Sequence, residues 1–457
     1  KPDLLARLAT SGKPGEALQA FDGFLAGLPA GVQLFSLLKA NPQLADLLID
    51  IVTTSPALAQ HLSRNARVFD AVIGGDFFSD WPGQVGLVTS LQDELAAEDD
   101  YETRLDATRR WAREWHFRIG VHLLRGLTDA QIAGVQYADL ARAVLTVLWP
   151  VVMDQFATRH GPPPGRGAVI LGMGSLGAGH LTATSDLDVL VIYDADGVDS
   201  SEGKRPLESR LYYARLTQAM ITAMTAPMSQ GRLYEVDMRL RPSGNKGPVA
   251  TSLASFESYQ KSEAWVWEHL ALTRGQVVAG PDALARDVEA MRKDVLSGNH
   301  DKTTILHDVA EMRDRIAAAK TPYGVWDAKI GAGRLQDIEL LAQAGALIAG
   351  QAARDIPNGL AAVRDAGVIS DTQEAVLADA YAQCWGLQCV TRLLSATPID
   401  GDTLGQAGAA FLCRSLGSDT ITALETQMNQ TYSAAGQIIS DALRPYAGAG
   451  TDIKDAT

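Results

Sequence analysis

Residues 168–194 read A-V-I-L-G-M-G-S-L-G-A-G-H-L-T-A-T-S-D-L-D-V-L-V-I-Y-D. The stretch predicts a strand, a glycine turn and a second strand. Residues 168–171 form a short apolar run that stops at Gly172, as a buried strand does. Residues 189–193 form a second apolar run rich in β-branched side chains. Between them, Gly174-Ser175 is followed after a ten-residue gap by Asp186-x-Asp188. Alternate residues of a strand share a face, so both carboxylates point the same way. Adjacent like charges repel, and a divalent cation held by hard oxygen ligands is the usual remedy.

Downstream sequence supplies a third carboxylate. Residues 208–226 predict a helix. Residues 232–240 alternate, with Leu233, Glu235, Asp237 and Arg239 on one side and Tyr234, Val236, Met238 and Leu240 on the other, which predicts a strand with one polar face. Carboxylates from two neighbouring strands can hold two Mg²⁺ ions about 3.5–4 Å apart, the spacing used for in-line phosphoryl and nucleotidyl transfer. Gly174 lets the backbone approach a phosphate, and Ser175 can donate from its amide and hydroxyl. Gly172, Gly174, Gly177 and Gly179 give a loop suited to that task. It is not a P-loop, because Gly-x-x-x-x-Gly-Lys-Ser/Thr is absent here. Taken singly, each element has an ordinary reading: a solvated Asp-x-Asp, a structural turn, an ion-pair ladder of Asp237 with Arg239 and Arg241. Their combination and order point to a metal-dependent site.

The 457 residues suffice for two or three domains. An apolar content of 46% with 21% charged residues predicts a globular chain. A net charge of −14 argues against a large nucleic-acid-tracking surface. No 18-residue apolar span and no signal-peptide pattern is evident, so no membrane partner is expected. Cys384, Cys389 and Cys413 lack metal-ligand spacing and read as buried thiols of a cytoplasmic protein. A first residue of Lys1 fits a processed or excised chain.

Residues 1–100 read as several short helices, including 17–28 and 32–38, broken at Pro29, Pro42 and Pro56. Residues 101–125 predict one long helix, with Arg104, Arg109, Arg110 and Arg113 largely off its apolar face. Residues 129–160 predict another, interrupted near Pro150. The run from Gly161 through three prolines to Gly165 is a hard break before the first strand. From Pro281 onward the pattern is helical, most clearly at 306–320, 335–349, 372–396 and 421–443. The tail at 447–457 is expected to fray.

The ordered set of Gly-Ser, Asp-x-Asp and a later Asp resembles the nucleotidyltransferase superfamily that includes DNA polymerase β. Residues 172–188, G-M-G-S-L-G-A-G-H-L-T-A-T-S-D-L-D, and residues 234–244, Y-E-V-D-M-R-L-R-P-S-G, resemble two signatures of the bacterial glutamine synthetase adenylyltransferase family, whose members also remove the adenylyl group. Residues 331–339, G-A-G-R-L-Q-D-I-E, resemble a further family motif in the helical region. Ser175 departs from the pattern, since many members have lysine there, and so does Leu340, where an aromatic is common. The resemblance implies an α+β, predominantly helical fold with a polymerase-β-like nucleotidyltransferase core. It implies a helical linker or regulatory region at 1–100, a nucleotidyltransferase domain at 101–280 and a helical domain at 281–457.

Family members carry two catalytic halves, and this chain has one constellation. Residues 259–269, Y-Q-K-S-E-A-W-V-W-E-H, are similar to the C-terminal, adenylylating half. The implied reaction is AMP transfer from ATP to a tyrosine of glutamine synthetase, with Mg²⁺ as cofactor, in the control of nitrogen assimilation. Asp186 and Asp188 would bind both metals, and Asp237 the catalytic metal, with the tyrosine proton as a second task. Gly174 and Ser175 would contact the β- and γ-phosphates. Arg239 and Arg241 would neutralise phosphate charge or hold Asp237, with Arg241 the more functional of the two. The PII signal protein and glutamine are the implied regulators. Phosphorolytic deadenylylation and a non-catalytic PII-binding module are the alternatives. Trp265, Glu268 and His269 read either as closing the site or as packing. Asp337 and Glu339 read as ion partners of Arg334 or as a regulatory contact.

Overall fold

The apolar runs flanking the glycine turn form β1 (Gly167–Gly172) and β2 (Leu187–Asp194). They pair antiparallel, from Gly167 opposite Asp194 to Gly172 opposite Val189. The second edge of β2 is divided between two short parallel strands. β3 (Val236–Asp237) takes Leu187 and Asp188, and β4 (Ala250–Ser252) takes residues 191–193. β5 (Gln276–Ala279) lies antiparallel on the far edge of β1. The strand expected over 232–240 is therefore cut to two residues. β4 occupies the edge beyond, and the chain leaves the sheet in a turn closed by Arg241 N–H to the Met238 carbonyl (3.3 Å) and Gly244 N–H to the Arg241 carbonyl (2.8 Å).

Side chains alternate across this sheet. Ala168, Ile170, Val189, Val191 and Tyr193 enter one apolar cluster, and Val169, Leu171, Leu190 and Ile192 enter another. Burial on both faces is why these runs are apolar throughout. The same alternation puts Asp188 on the face of Leu190 and Ile192.

The computed structural model describes residues 14–26, 42–64, 76–298, 300–401 and 404–447, with Ala6, Leu8, Ala9 and Ser11. The helix expected at 32–38 and nearly all of the 447–457 tail lie outside the described residues. The fold is mostly helical. Before the sheet come α1 (Pro14–Ala26), α2 (Pro42–Thr54), α3 (Pro56–Arg64), α4 (Gly83–Ala96), α5 (Tyr101–Arg125) and α6 (Ala130–His160). Within it lie α7 (Gly174–Ala178), α8 (Ser209–Thr225), α9 (Leu253–Ser262) and α10 (Val266–Thr273). After it come α11 (Asp282–Leu296), α12 (Lys302–Ala319), α13 (Leu335–Ile348), α14 (Ile356–Asp365), α15 (Asp371–Leu394), α16 (Gly405–Leu416) and α17 (Ile421–Leu443).

Local chemistry explains the long helices. The Asp100 carboxylate accepts from the N–H groups of Glu102 (2.8 Å) and Thr103 (3.1 Å) to start α5, and left-handed Gly126 ends it. Asp129 caps α6 through Ile132 N–H. Against expectation, α6 continues through Pro150. Proline removes one rung of the helix, and packing of α6 against α4, α5, α8, α15 and β5 holds the rest. By length and composition α6 is also the one helix among the described residues apolar enough to cross a bilayer, which amends the reading of no such span. Half of its apolar window is buried, as in a core helix. Cys384, Cys389 and Cys413 are buried free thiols.

Arg109 departs from its expected polar face. It is fully buried, and its guanidinium donates to the carbonyls of Leu105 (2.9 Å), Gly231 (2.8 Å), Ala223 (2.6 Å) and Ala226 (3.1 Å). It ties α5 to the segment that leads into β3. Arg109→Met is expected to strand these carbonyls and lower stability by about 3 kcal/mol in denaturant titration. Arg110→Ala, which loses only exposed pairs with Glu94 and Glu98, is expected to change it by less than about 1 kcal/mol.

Candidate active site

The β2–β3 register sets Asp188 beside Asp237 and Leu187 beside Val236. Asp186 lies one residue before β2. The sheet therefore brings together all three carboxylates singled out in the sequence. Burial, and then the charges of Asp186 and Asp237, push the Asp188 carboxyl from its ordinary 3.8 up to about 6.

The glycine turn closes over Asp188. Met173 N–H donates to the Asp188 carbonyl at 2.8 Å. Gly174 is left-handed at φ +52°, and a Cβ there would lie 2.4 Å from Asp188 Oδ2. Glycine is required on both counts. Ser175 follows in the first turn of α7. At Gly177 a Cβ would meet the Arg274 carbonyl at 2.1 Å, so α7 can lie against that backbone only through glycine.

Asp237 is engaged by Arg239, whose backbone N–H donates to Oδ1 (2.8 Å) and whose Nε donates to Oδ2 (2.6 Å). These bonds lower the Asp237 carboxyl below its ordinary range. Arg241 instead closes the turn after β3, donating to the carbonyls of Met238 (2.7 Å) and Gly247 (3.2 Å). The structure thus gives Arg239 the task of holding Asp237, and Arg241 a bracing contact in the turn.

The donor set suits a hard divalent cation, being all carboxylate oxygen and mutually repelling. Asp186 and Asp188 are the residues that would hold one, and Asp237 would join them on exchanging Arg239 for the metal. A finished cage is not present, since no three potential ligand side chains among the described residues stand in metal-holding geometry.

Sequence reasoning missed two cations and the role of one anion. Arg274, just after α10, is buried against Glu339 of α13 at 3.0 Å. Burial is the largest single influence and opposes its charge, but Glu339, Tyr381 and Asp188 together outweigh it and raise its pKa. Glu339 is thus a partner of Arg274, not of Arg334. Asp337 accepts from Arg313 Nε (2.7 Å) and Gly333 N–H (2.7 Å), while Arg334 donates to the Gly324 carbonyl (2.8 Å) and lies over the Tyr432 ring. Lys329 is the second missed cation. It stands two residues before the 331–339 motif, and no local pattern marked it.

The 259–269 segment forms its own bracket. Tyr259 Oη donates to the buried Glu268 carboxylate (2.9 Å), which also accepts Trp265 N–H (3.0 Å). His269 Nε2–H donates to the Gln260 carbonyl at 2.9 Å. Glu268 and His269 are therefore satisfied internally, whereas Trp265 is 63% exposed. A cleft of about 560 Å³ opens beside the carboxylates, lined by Thr182–Asp186, Arg232–Glu235, Arg113, His116, Lys329 and Arg392.

Residues 45–291 match the family model described as glutamate-ammonia ligase adenylyltransferase. This match takes in the whole carboxylate cluster and covers more than half of the chain. The chain belongs to the glutamate-ammonia ligase adenylyltransferase family. Relatives bearing the name bifunctional glutamine synthetase adenylyltransferase/adenylyl-removing enzyme include one from Brucella suis, 43% identical over 75% of this chain and 35% of its own length. One from Agrobacterium fabrum is 42% identical over 76% of this chain and 35% of its own. One from Rhodopseudomonas palustris is 37% identical over 96% of this chain and 45% of its own. The chain thus spans between a third and a half of the length of these relatives.

The raised Asp188 carboxyl has a sign that can be checked. Its contribution to the metal-free fold is whole below the ordinary 3.8 and is lost as pH rises through about 6. Asp188→Asn is expected to flatten that slope in thermal midpoints measured across the window. Mg²⁺ is expected to stabilise the unaltered chain more at about pH 7.5 than at about pH 5, where protons compete for the carboxylate. Gly174→Ala is expected to abolish the Mg²⁺ effect by displacing Asp188. Gly197→Ala, at φ +76° with nothing within 4 Å, is expected to retain it.

Proposed function

We propose that this chain transfers AMP from ATP to a tyrosine hydroxyl of glutamine synthetase and so represents the adenylylating half of its longer relatives. The observation that carries this reading is the Asp188–Asp237 pairing beside Asp186 and under the Gly174 turn, in a chain of this family. The sheet is then a nucleotidyltransferase core of the polymerase-β type. The tyrosine oxygen attacks the α-phosphorus, the α–β bridging bond breaks, and pyrophosphate leaves. The hydroxyl proton passes to a carboxylate of the cluster.

Each residue has a physical task. Asp186, Asp188 and Asp237 would hold divalent metal, which would supply screening of the triphosphate and a lowered pKa for the attacking hydroxyl. Gly174 and Ser175 offer backbone and hydroxyl donors to phosphate oxygens at a place where no larger residue fits beside Asp188. Arg239, 74% exposed, is free to turn from Asp237 to phosphate charge once metal takes the carboxylate. The direction of transfer rests on the likeness of residues 259–269 to the adenylylating half. The phosphorolytic reaction uses the same carboxylates and is the alternative outcome. Regulation by PII and glutamine through the flanking helices belongs to the same reading.

Incubation with α-labelled ATP, Mg²⁺ and unmodified glutamine synthetase is expected to label the synthetase. Asp186→Asn or Asp188→Asn is expected to cut labelling at least about 100-fold with the thermal midpoint maintained. Absence of labelling, together with release of AMP from adenylylated synthetase on addition of phosphate, would assign the opposite activity.

A further inference from the structure

We propose that Lys329, delivered from the helical region after the sheet, binds the polyphosphate of the nucleotide and supplies the ammonium that position 175 lacks. The inference rests on the AMP-transfer reading above and extends it to a residue from another part of the chain.

The placement comes first. Lys329 shares the lining of the 560 Å³ cleft with Asp186 and with the 182–185 segment that leads into β2. Its charge reaches Asp188, whose ionised form it favours together with Arg274. Two of the other cations of the cleft have partners, and the third has its charge opposed by burial and by a like charge. Arg232 pairs with Glu235, Arg392 donates to the Ala396 carbonyl at 2.8 Å, and Arg113 is within range of the charge of Arg64. The Lys329 ammonium makes no ion pair or hydrogen bond among the described residues.

Its support is rigid, although the side chain is exposed. Asp327 Oδ1 accepts from Lys329 N–H (3.1 Å) and Ile330 N–H (3.3 Å). Arg334 pins the same loop by donating to the carbonyls of Gly324 and Asp327. Gln336 N–H donates to the Lys329 carbonyl at 3.1 Å. A lysine held this way beside Asp186 and Asp188 counters their charge. The oxygens of a triphosphate entering the cleft would attract this ammonium directly. Ser175 has no positive charge to do this, and the backbone around it is too close to Asp188 to leave room for a bulkier residue at Gly174.

The test measures binding of α,β-methylene-ATP, which blocks the scissile bond, and of AMP, both with Mg²⁺, to the full chain. Lys329→Ala is expected to weaken α,β-methylene-ATP about tenfold and AMP less than about twofold, because only the former carries β- and γ-phosphates. Lys329→Arg is expected to restore most of the loss. An unchanged thermal midpoint checks that the exposed substitution leaves the fold intact. Equal binding of α,β-methylene-ATP by Lys329→Ala and the unaltered chain would overturn the assignment while leaving the carboxylate site standing. Tighter Mg²⁺ binding by Lys329→Ala with no effect on the triphosphate would also overturn it, by making Lys329 a counter-charge alone. Failure of the unaltered chain to bind α,β-methylene-ATP would overturn the AMP-transfer reading and this inference with it.

Discussion

The central constraint is that β2 is occupied on both edges and both faces. β1 takes one edge along the strand, while β3 and β4 divide the other. Leu190 and Ile192 enter one apolar cluster, and Val189, Val191 and Tyr193 enter the other. A charge inside such a strand would be buried without water, at a cost several times that of a lost hydrogen bond. Charge is therefore confined to the two ends of the strand, Asp188 with Asp186 at one and Asp194, paired with Arg166, at the other. The glycine turn and β3 reach the Asp188 end, so the location of the site follows from where apolar pairing stops.

The cluster then has to be offset electrostatically. Asp188, partly buried beside the other two carboxylates, resists ionisation. The offset comes from three directions. Arg239 holds Asp237 from the turn, Arg274 acts from beneath the glycine helix, and Lys329 acts from the cleft. Arg274 is itself buried and stays charged through Glu339, whose helix α13 belongs to the region after the sheet. Breaking such a pair from one side strands a buried charge and typically costs about 3–5 kcal/mol. The helical region is thus electrically continuous with the site as well as packed against it.

Much of this was legible in the residues. The two apolar runs, the bounds of α5, the late helices at 335–349 and 421–443 and the mostly helical fold follow from periodicity and caps, which are local. The pairing partners were not legible. β4 and β5 are three and four residues long, too short to carry a pattern, and the strand over 232–240 looked longer because alternation continues past the point where β2 has an edge to offer. Arg109 looked like a solvated arginine because three of its four acceptor carbonyls belong to residues more than a hundred positions away. The convergence of Asp186, Asp188 and Asp237 could be read from strand order. The approach of Arg274, Glu339 and Lys329 depends on how the helices fold back, and no spacing rule encodes it.

The division of β2's second edge sets the two parts of the cluster on unequal footings. Asp188 belongs to a strand with six residue pairs to β1, whereas Asp237 belongs to one with two pairs to β2. The turn from Met238 to Gly247 is held by Arg241 and a few backbone bonds. In terms of local unfolding, β3 is a small cooperative unit of low opening free energy joined to one of high opening free energy. The third carboxylate is thus joined to the other two through the shortest pairing in the sheet, so its place depends on the turn after it as much as on the strand itself.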